Sequence, residues 1–550
     1  MKRIFLPIII LFFSVISYAQ ISIESTPKSF LNKDLSALLT ATLEIEEPDL
    51  TQTIEYNNNP QNLYKTRRFG VVLPLNVNFF EKADMSELKD GKLWILRVKS
   101  PNAKALNLYS KNFYLPKGSE LFIYNSDHSQ IIGAFTSFNN DESKTFATEM
   151  VNGEEIIIEY FQPNYVKENA QIELTEVGYA YRDFGYDITK YSDEFGSSGS
   201  CNVNVNCPEG NNYRNAQRGV VRIMLRMDDY SIGWCTGSLV NNTARDLAPY
   251  VLSAAHCVED VASSYYYSYF VFYFNYEAAG CTTGSVEPTS KTMNGTSLKA
   301  LGSSSDFLLL RLNQNVPTNY NAYWNAWNNT TNASSSGVCI HHPSGDIKKI
   351  STYNTALQSV NLGYGQTHWQ AKWVQTQTNY GITEGGSSGS PLFNASSQIV
   401  GTLTGGTSSC YAANADKLDY YGKLSYSWSS NGTTNDKRLQ PWLDPTNSGV
   451  STFRGDDYST LSNPLVETSQ NTYSTIYPNP AKNEINISLS MIQNSTQVEI
   501  FDEVGRVVLR DIIPANTTSY SINASNLKAG YYIIKYVSQE KIWTNKLIVE

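Results

Sequence analysis

Three short stretches hold the residue types that proton-coupled nucleophilic chemistry needs. Glu384–Phe393 reads Glu-Gly-Gly-Ser-Ser-Gly-Ser-Pro-Leu-Phe, a tight turn running into an apolar strand. An attacking serine must stand exposed, and small neighbours must let backbone N–H groups converge on the oxyanion that forms. Ser388 meets the first requirement, and the N–H groups of Gly386 and Ser388 are placed for the second. Tyr250–Val258, Tyr-Val-Leu-Ser-Ala-Ala-His-Cys-Val, ends an apolar run on His256, one of five histidines in the chain. Ser303–Leu312 sets Asp306 just ahead of Phe-Leu-Leu-Leu-Arg-Leu. Singly these are ordinary features: a flexible loop, a satisfied histidine, a turn acid. Together they predict a serine nucleophile, an imidazole that moves its proton, and a carboxylate that fixes the imidazole tautomer.

The elements that must position them are strands. Tyr (37) and Phe (22) are abundant and only 17% of residues are charged, which favours sheet over long helices. At 550 residues the chain is too long for one domain. A net charge of −9 and the lack of a basic run argue against nucleic acid as partner. Met1–Ala19 reads as a signal peptide: Met-Lys-Arg, an apolar run, then Ser-Tyr-Ala. No other stretch is apolar enough to predict a transmembrane segment in the mature chain. Residues 20–195 lack cysteine and read as strands at Gly70–Phe79, Lys92–Val98, Glu120–Tyr124 and Glu154–Glu159. All seven cysteines (201, 207, 235, 257, 281, 339 and 410) fall between residues 196 and 458. Export with such clustering predicts disulfides, and no Cys-x-x-Cys spacing points to a metal; no cofactor is expected. The pairings stay open at the level of spacing alone.

The order His256…Asp306…Ser388 and its local contexts resemble the chymotrypsin-like serine proteases. Cys201–Gly210, Cys235–Thr243, His341-His342-Pro343 and Thr383–Pro391 resemble the bacterial lysyl endopeptidases in particular, over Gly196–Asp457. The resemblance implies an all-β chain: a double β-barrel protease domain (196–458), preceded by a β-rich propeptide (20–195). It implies the bridges Cys201–Cys410, Cys207–Cys281 and Cys235–Cys257, with Cys339 a buried free thiol; a Cys339 nucleophile served by His341 is the rival. It implies hydrolysis of protein or peptide substrates after lysine, with arginine the other candidate. The trypsin-like position for a specificity acid holds Ile382, so the resemblance passes that role to Asp419, with Asp416 and Glu384 as rivals. Thr404, Gly405 and Gly406 would pair with the substrate backbone. The family carries histidine where this chain has Thr404 and tryptophan near Leu362. Ser387 stands where trypsin-like zymogens keep an activating aspartate, so removal of the propeptide alone, after Lys190 or near Phe195–Gly196, is the expected activation.

Residues 459–472 read as a Ser/Thr/Asn-rich linker. Residues 473–550 alternate short apolar strands with turns, the pattern of a small β-sandwich. Tyr477-Pro-Asn-Pro, Val504-Gly-Arg and Leu527-Lys-Ala-Gly-Tyr-Tyr resemble the C-terminal sorting domain of the type IX secretion system. That implies passage through the outer membrane by that machinery, to the medium or the cell surface. Two further readings stand beside the lysyl one: a glutamyl endopeptidase, and a catalytically silent binding protein on a protease fold.

Overall fold

A computed structural model describes residues 23–550 except 24, 32–39, 60–61, 63–65, 182–194, 262, 462–473, 490–494, 503–505 and 539–541. The predicted signal peptide, Lys190 and most of the predicted linker lie outside the described residues. The chain divides into two compact units, Met1–Tyr458 and Ser459–Glu550.

Two stacked sheets form the N-terminal part of the first unit. One has the order Thr42–Glu44, Gly91–Lys99, Glu155–Pro163, Glu120–Asn125, Ile131–Phe135. The other pairs β1 (Arg68–Asn78) with Gln171–Ala180, which pairs on with Ala105–Tyr114. Alternate residues of both sheets, among them Leu96, Leu106, Ile123, Ile158 and Val177, close the core between them. The near end of β1 does more. Residues 68–71 also pair with Ser231–Gly233, so this sheet continues into the next domain.

That next domain is a pair of barrels. The first uses β2 (Val220–Arg226), β3 (Ser231–Leu239), β4 (Tyr250–Ser253), β5 (Val271–Phe274), β6 (Lys291–Asn294), β7 (Thr296–Gly302) and β8 (Phe307–Leu312). Pairing runs β5–β2–β3–β4–β8–β7. The β6 strand returns to β5, and β6 and β7 are one run bent at Gly295. Gly295 has φ +82°, and an added Cβ would strike Asn313, so glycine lets the ring close there. The second barrel uses β9 (Gly337–His341), β10 (Lys349–Tyr353), β11 (His368–Lys372), β12 (Pro391–Asn394), β13 (Gln398–Gly406) and β14 (Leu418–Lys423). Its order is β10–β9–β12–β13–β14–β11. The Val374 N–H donates to the Thr352 carbonyl at 3.1 Å and joins the ends. A full ring removes both exposed edges. The fold is thus all-β with a double barrel at its centre. The second unit is a sandwich of a three-stranded and a four-stranded sheet over a core that includes Ile485, Ile500, Ile534 and Leu547.

Candidate active site

His256 and Asp306 meet because β4 and β8 are antiparallel neighbours, with Ser253 opposite Leu308. The chain leaves β4 through Ala254 into a short 3-10 turn, Ala255–Val258, that carries His256. Asp306 immediately precedes β8. An antiparallel pair sets one strand's exit beside the other's entrance, and the two side chains face each other there. His256 Nδ1 lies 2.8 Å from Asp306 Oδ2, and the His256 backbone N–H donates to Oδ1 at 2.9 Å. Asp306 holds φ +49°, a left-handed conformation that aspartate tolerates better than most residues.

Burial alone would depress the imidazole, but the Asp306 carboxylate outweighs it and raises the His256 pKa above its ordinary value. Burial works to raise Asp306, but the charge and hydrogen bonds of His256, aided by the Thr404 hydroxyl, hold it below its ordinary value. The other ring nitrogen, Nε2, is buried without a hydrogen-bond partner.

The Ser388 turn is pinned to the first barrel by one residue of β3. Thr236 N–H donates to the Ser388 carbonyl and Thr236 Oγ1 to the Gly386 carbonyl, both at 2.8 Å. Ser253, at the end of the histidine's own strand, donates to the Thr236 carbonyl at 2.8 Å. A Cβ on Gly389 would come within 2.1 Å of Ser253 Oγ, so only glycine lets the turn lie this close to the histidine strand. The disulfide Cys235–Cys257 runs alongside, with Cys257 Sγ 3.9 Å from the Ser388 carbonyl oxygen. Ser388 itself is half-exposed. No hydrogen bond joins its hydroxyl to His256 Nε2 in this structure. Gly386 has φ +94°, and a Cβ there would crowd Gly345 N and the His342 carbonyl. Among the described residues, the N–H groups of Gly386 and Ser388 donate to no protein acceptor.

Asp419 lies on β14 opposite Gly406, and is 1% exposed. Its Oδ2 accepts from Trp373 Nε1, from Thr383 Oγ1 at 2.8 Å and from Ser408 Oγ at 2.7 Å. Its Oδ1 has no partner. Burial raises the carboxyl above its usual range, against the three donors. An added Cβ on Gly406 would sit 2.0 Å from Oδ1, so glycine leaves the approach to that oxygen open. The rival acids are elsewhere. Glu384 is held by Gly199 N–H, Asn202 Nδ2 and Ser344 Oγ. Asp416 is exposed. Thr404, Gly405 and Gly406 end β13, half-buried, after a register shift beyond Leu403.

The structure pairs Cys201–Cys410, Cys207–Cys281 and Cys235–Cys257. Cys339 is free and buried, with burial pushing its thiol up to about 12. His341 does not serve it: its Nδ1 meets Ser387 Oγ at 2.7 Å and its Nε2 meets Ser351 Oγ at 3.0 Å.

Residues 195–422 match the family model described as lysyl endopeptidase, C-terminal domain. The central segment is lysyl endopeptidase-like. Residues 475–550 match the secretion system C-terminal sorting domain, which marks the chain for export. The lysyl endopeptidase of Pseudomonas aeruginosa is 29% identical over 293 residues, covering 52% of this chain and 62% of that protein's own length. Among solved structures, the Rv3671c protease from M. tuberculosis covers 45% of this chain and 96% of its own at 11% identity and TM-score 0.28. The serine endoprotease from Yersinia pestis covers 62% and 96% at 11% identity and TM-score 0.28. In the lysyl endopeptidase-like segment one further histidine, His368, reaches the site, its Nε2 3.1 Å from Thr404 Oγ1. The sequence analysis gave it no role, and nothing in Thr367-His368-Trp369 signals that contact. No described helix is long and apolar enough to cross a membrane.

Proposed function

We propose that residues 196–458 form a secreted serine endopeptidase that cleaves peptide bonds after lysine. The observation that carries this reading is the His256–Asp306 pair at 2.8 Å, with an unpartnered Nε2 beside the half-exposed Ser388 turn. In this reading His256 Nε2 takes the Ser388 proton as Oγ attacks the substrate carbonyl. The bond between them forms with substrate in place, as catalytic hydrogen bonds often tighten only in the complex. The uncommitted N–H groups of Gly386 and Ser388 receive the oxyanion; a donor in such a hole is worth about 3–4 kcal/mol. The imidazolium, steadied by Asp306, protonates the leaving amine. Water then enters by the same base and hydrolyses the acyl group from Ser388.

Asp419 Oδ1 gives the site its substrate charge. A buried carboxylate oxygen without a donor is costly until a cation meets it, and a lysine ammonium is a compact point charge that suits a single oxygen. Arginine presents a planar fork that one free oxygen serves less well. The same anion repels an acidic side chain and weighs against a glutamyl endopeptidase. The free edge Thr404–Gly406 is where the substrate backbone would pair.

Residues 20–195 are proposed as a propeptide, cut from the protease before Gly196. The Gly196 N–H lies 2.8 Å from Oδ1 of the buried Asp346 carboxylate, so a cut there would leave an α-amino group already facing an anion. Ser387 cannot play that part, but Asp346 can. The type IX machinery is the proposed partner of residues 473–550.

The deciding experiment is covalent. A fluorophosphonate is expected to label the wild-type protein at Ser388 and leave Ser388→Ala unlabelled. A wild type that stays unlabelled makes this a silent binding protein on a protease fold. A digest of a denatured protein, read by mass spectrometry, then scores lysine, arginine and glutamate as the cleaved residue.

A further inference from the structure

One strand of the N-terminal domain reaches the cleft beside Ser388. The Ser388 turn is held between two strands. Leu403 of β13 pins it on one side, its carbonyl accepting from Gly389 N–H at 2.8 Å and its N–H donating to the Ser390 carbonyl at 2.9 Å. Thr236 of β3 pins it on the other. A peptide lying across Ser388 with its acyl half on Thr404–Gly406 must therefore send its leaving half toward β3. The edge of β3 on that side is filled. Arg68, Gly70 and Val71 pair with Gly233, Ile232 and Ser231, and the residues ahead of β1 continue toward the turn. Thr66 Oγ1 is 3.7 Å from Cys235 Sγ, and the bridged Cys257 Sγ is 3.9 Å from the Ser388 carbonyl oxygen. A Cβ on Gly385 would lie 2.5 Å from Arg67 Cδ, one residue short of the oxyanion donor Gly386.

The direction of this strand carries the argument. Residues that follow a cut bond are numbered upward from it, so along a leaving half the numbers rise away from the serine. From Thr66 beside Cys235 to Val71 opposite Ser231 they rise in that sense. A strand laid parallel to β3 would run the other way. The side chains are engaged as well. Phe69 stacks on Trp234 with ring centroids 4.6 Å apart and planes 5° from parallel. Arg68 pairs with Asp229 at 3.3 Å and with Asp260. Thr66, Arg68 and Phe69 are all buried. Main-chain pairing to a sheet edge with pockets for alternate side chains is how an extended peptide is read.

We propose that the N-terminal domain inhibits by occupying the leaving-group side of the cleft: Thr66–Phe69 lie on the edge of β3 as the leaving half of a substrate would. The same edge, once vacated, takes the residues that follow the cut bond, and Trp234 selects an aromatic side chain at the fourth of them. This rests on the serine endopeptidase reading.

The test runs acylation backward. With an acyl group on Ser388 of the processed enzyme, an amine seated on the leaving side attacks the ester carbonyl. The C–N bond forms, the C–O bond to Ser388 Oγ breaks, and the amine proton passes through His256 Nε2 to Oγ. The acyl group comes from acetyl-lysine p-nitrophenyl ester, whose burst of p-nitrophenol counts folded, acylated sites. Transfer against hydrolysis is then read by mass spectrometry at early times for three added peptides. Thr-Arg-Arg-Phe-amide is expected to capture about tenfold more acyl group than the reversed Phe-Arg-Arg-Thr-amide or than Thr-Arg-Arg-Ala-amide, the scale of one aromatic stack. In Trp234→Leu the advantage of phenylalanine over alanine is expected to vanish. Equal capture of the forward and reversed peptides overturns the proposal, and so does equal capture of the phenylalanine and alanine peptides. An advantage that persists in Trp234→Leu overturns the assignment to β3. Any of these results with a normal burst removes this proposal alone, whereas a wild type with neither burst nor fluorophosphonate labelling removes the protease reading itself.

Discussion

At His256 two opposing influences meet, and their sum fixes the pH at which the site can work. Burial strips water from the imidazolium and favours the neutral ring, but Asp306 at 2.8 Å wins and the pKa is raised. A raised folded pKa means stability that is fully present below the unfolded value near 6.5 and is lost as pH rises through the folded value. As the proposed base, His256 would act only when neutral, so activity is expected to rise through the window in which this stabilisation falls. The expected kcat/KM profile has its acid limb above 6.5, the ordinary histidine value. In Asp306→Asn the burial is opposed only by the smaller influence of Glu259, and the limb moves below that value while kcat drops by about three to four orders of magnitude. A limb that stays in place in D306N would deny Asp306 this role. Asp419→Asn tests the pocket: loss of the buried anion is expected to cost lysine substrates about 2–5 kcal/mol in kcat/KM, a factor of roughly thirty or more. A peptide with alanine at that position should be cleaved equally by both proteins. His256, Asp306 and Ser388 were legible because each carries its context along the chain, in small neighbours and an adjoining apolar run. His368 was not, since its meeting with Thr404 depends on how β11, β14 and β13 register, and no local pattern encodes that.

Strands do the positioning, and the disulfides divide that work from the work of stability. Cys235–Cys257 closes 22 residues and touches both the histidine turn and the Ser388 carbonyl. Cys201–Cys410 closes 209 residues and joins the start of the protease segment to the loop before β14. Chain-entropy reasoning gives about 3 kcal/mol for the short loop and about 5 for the long one. The double variant Cys201→Ala/Cys410→Ala is therefore expected to lose more in Tm, and Cys235→Ala/Cys257→Ala more in kcat. Urea unfolding and steady-state kinetics on both variants check this; the same rank order in both measurements would refute the division. How far such elements could be read in advance depended on burial. Glu484–Leu489 and Gly530–Val537 show the short alternating strands expected of residues 473–550, because their buried and exposed residues alternate. Ala105–Tyr114 escaped notice: residues 105–110 are buried on both faces, so period-two alternation is absent. The strand Arg68–Asn78 was foreseen as Gly70–Phe79, but its second partner across the domain boundary was not, since a strand edge has no sequence signature of what will pair with it.

In the first unit as a whole, the N-terminal domain is fastened to the protease barrel by more than the β1–β3 ladder. The Arg67 side chain lies where a Cβ on Gly385 would touch it, one residue from Gly386. On the far side the Met150 N–H donates to the Tyr273 hydroxyl, and the buried Glu149 enters the surroundings of Arg222, whose guanidinium stacks on Trp234, Tyr273 and Tyr276. Burial pushes Glu149 up to about 8, with Glu287 adding to the rise and Arg222 opposing it. A carboxyl raised on docking favours the docked form while it is protonated. Its contribution is complete below the free value near 4.5 and disappears as pH rises through about 8. Docking is thus expected to weaken over the same range in which His256 becomes a base. The Ser388→Ala chain, nicked within residues 182–194, lets this be measured without turnover. Its N-terminal fragment should co-elute with the protease part in acid and separate increasingly toward pH 8. Glu149→Gln carries no charge at any pH, so its fragment should stay bound across the whole range. Equal pH dependence in the two chains would move the control of release away from Glu149, to the ladder or to Arg67. A flat profile in E149Q against a falling one in the parent would tie the opening of the cleft and the arming of its base to one acidity change.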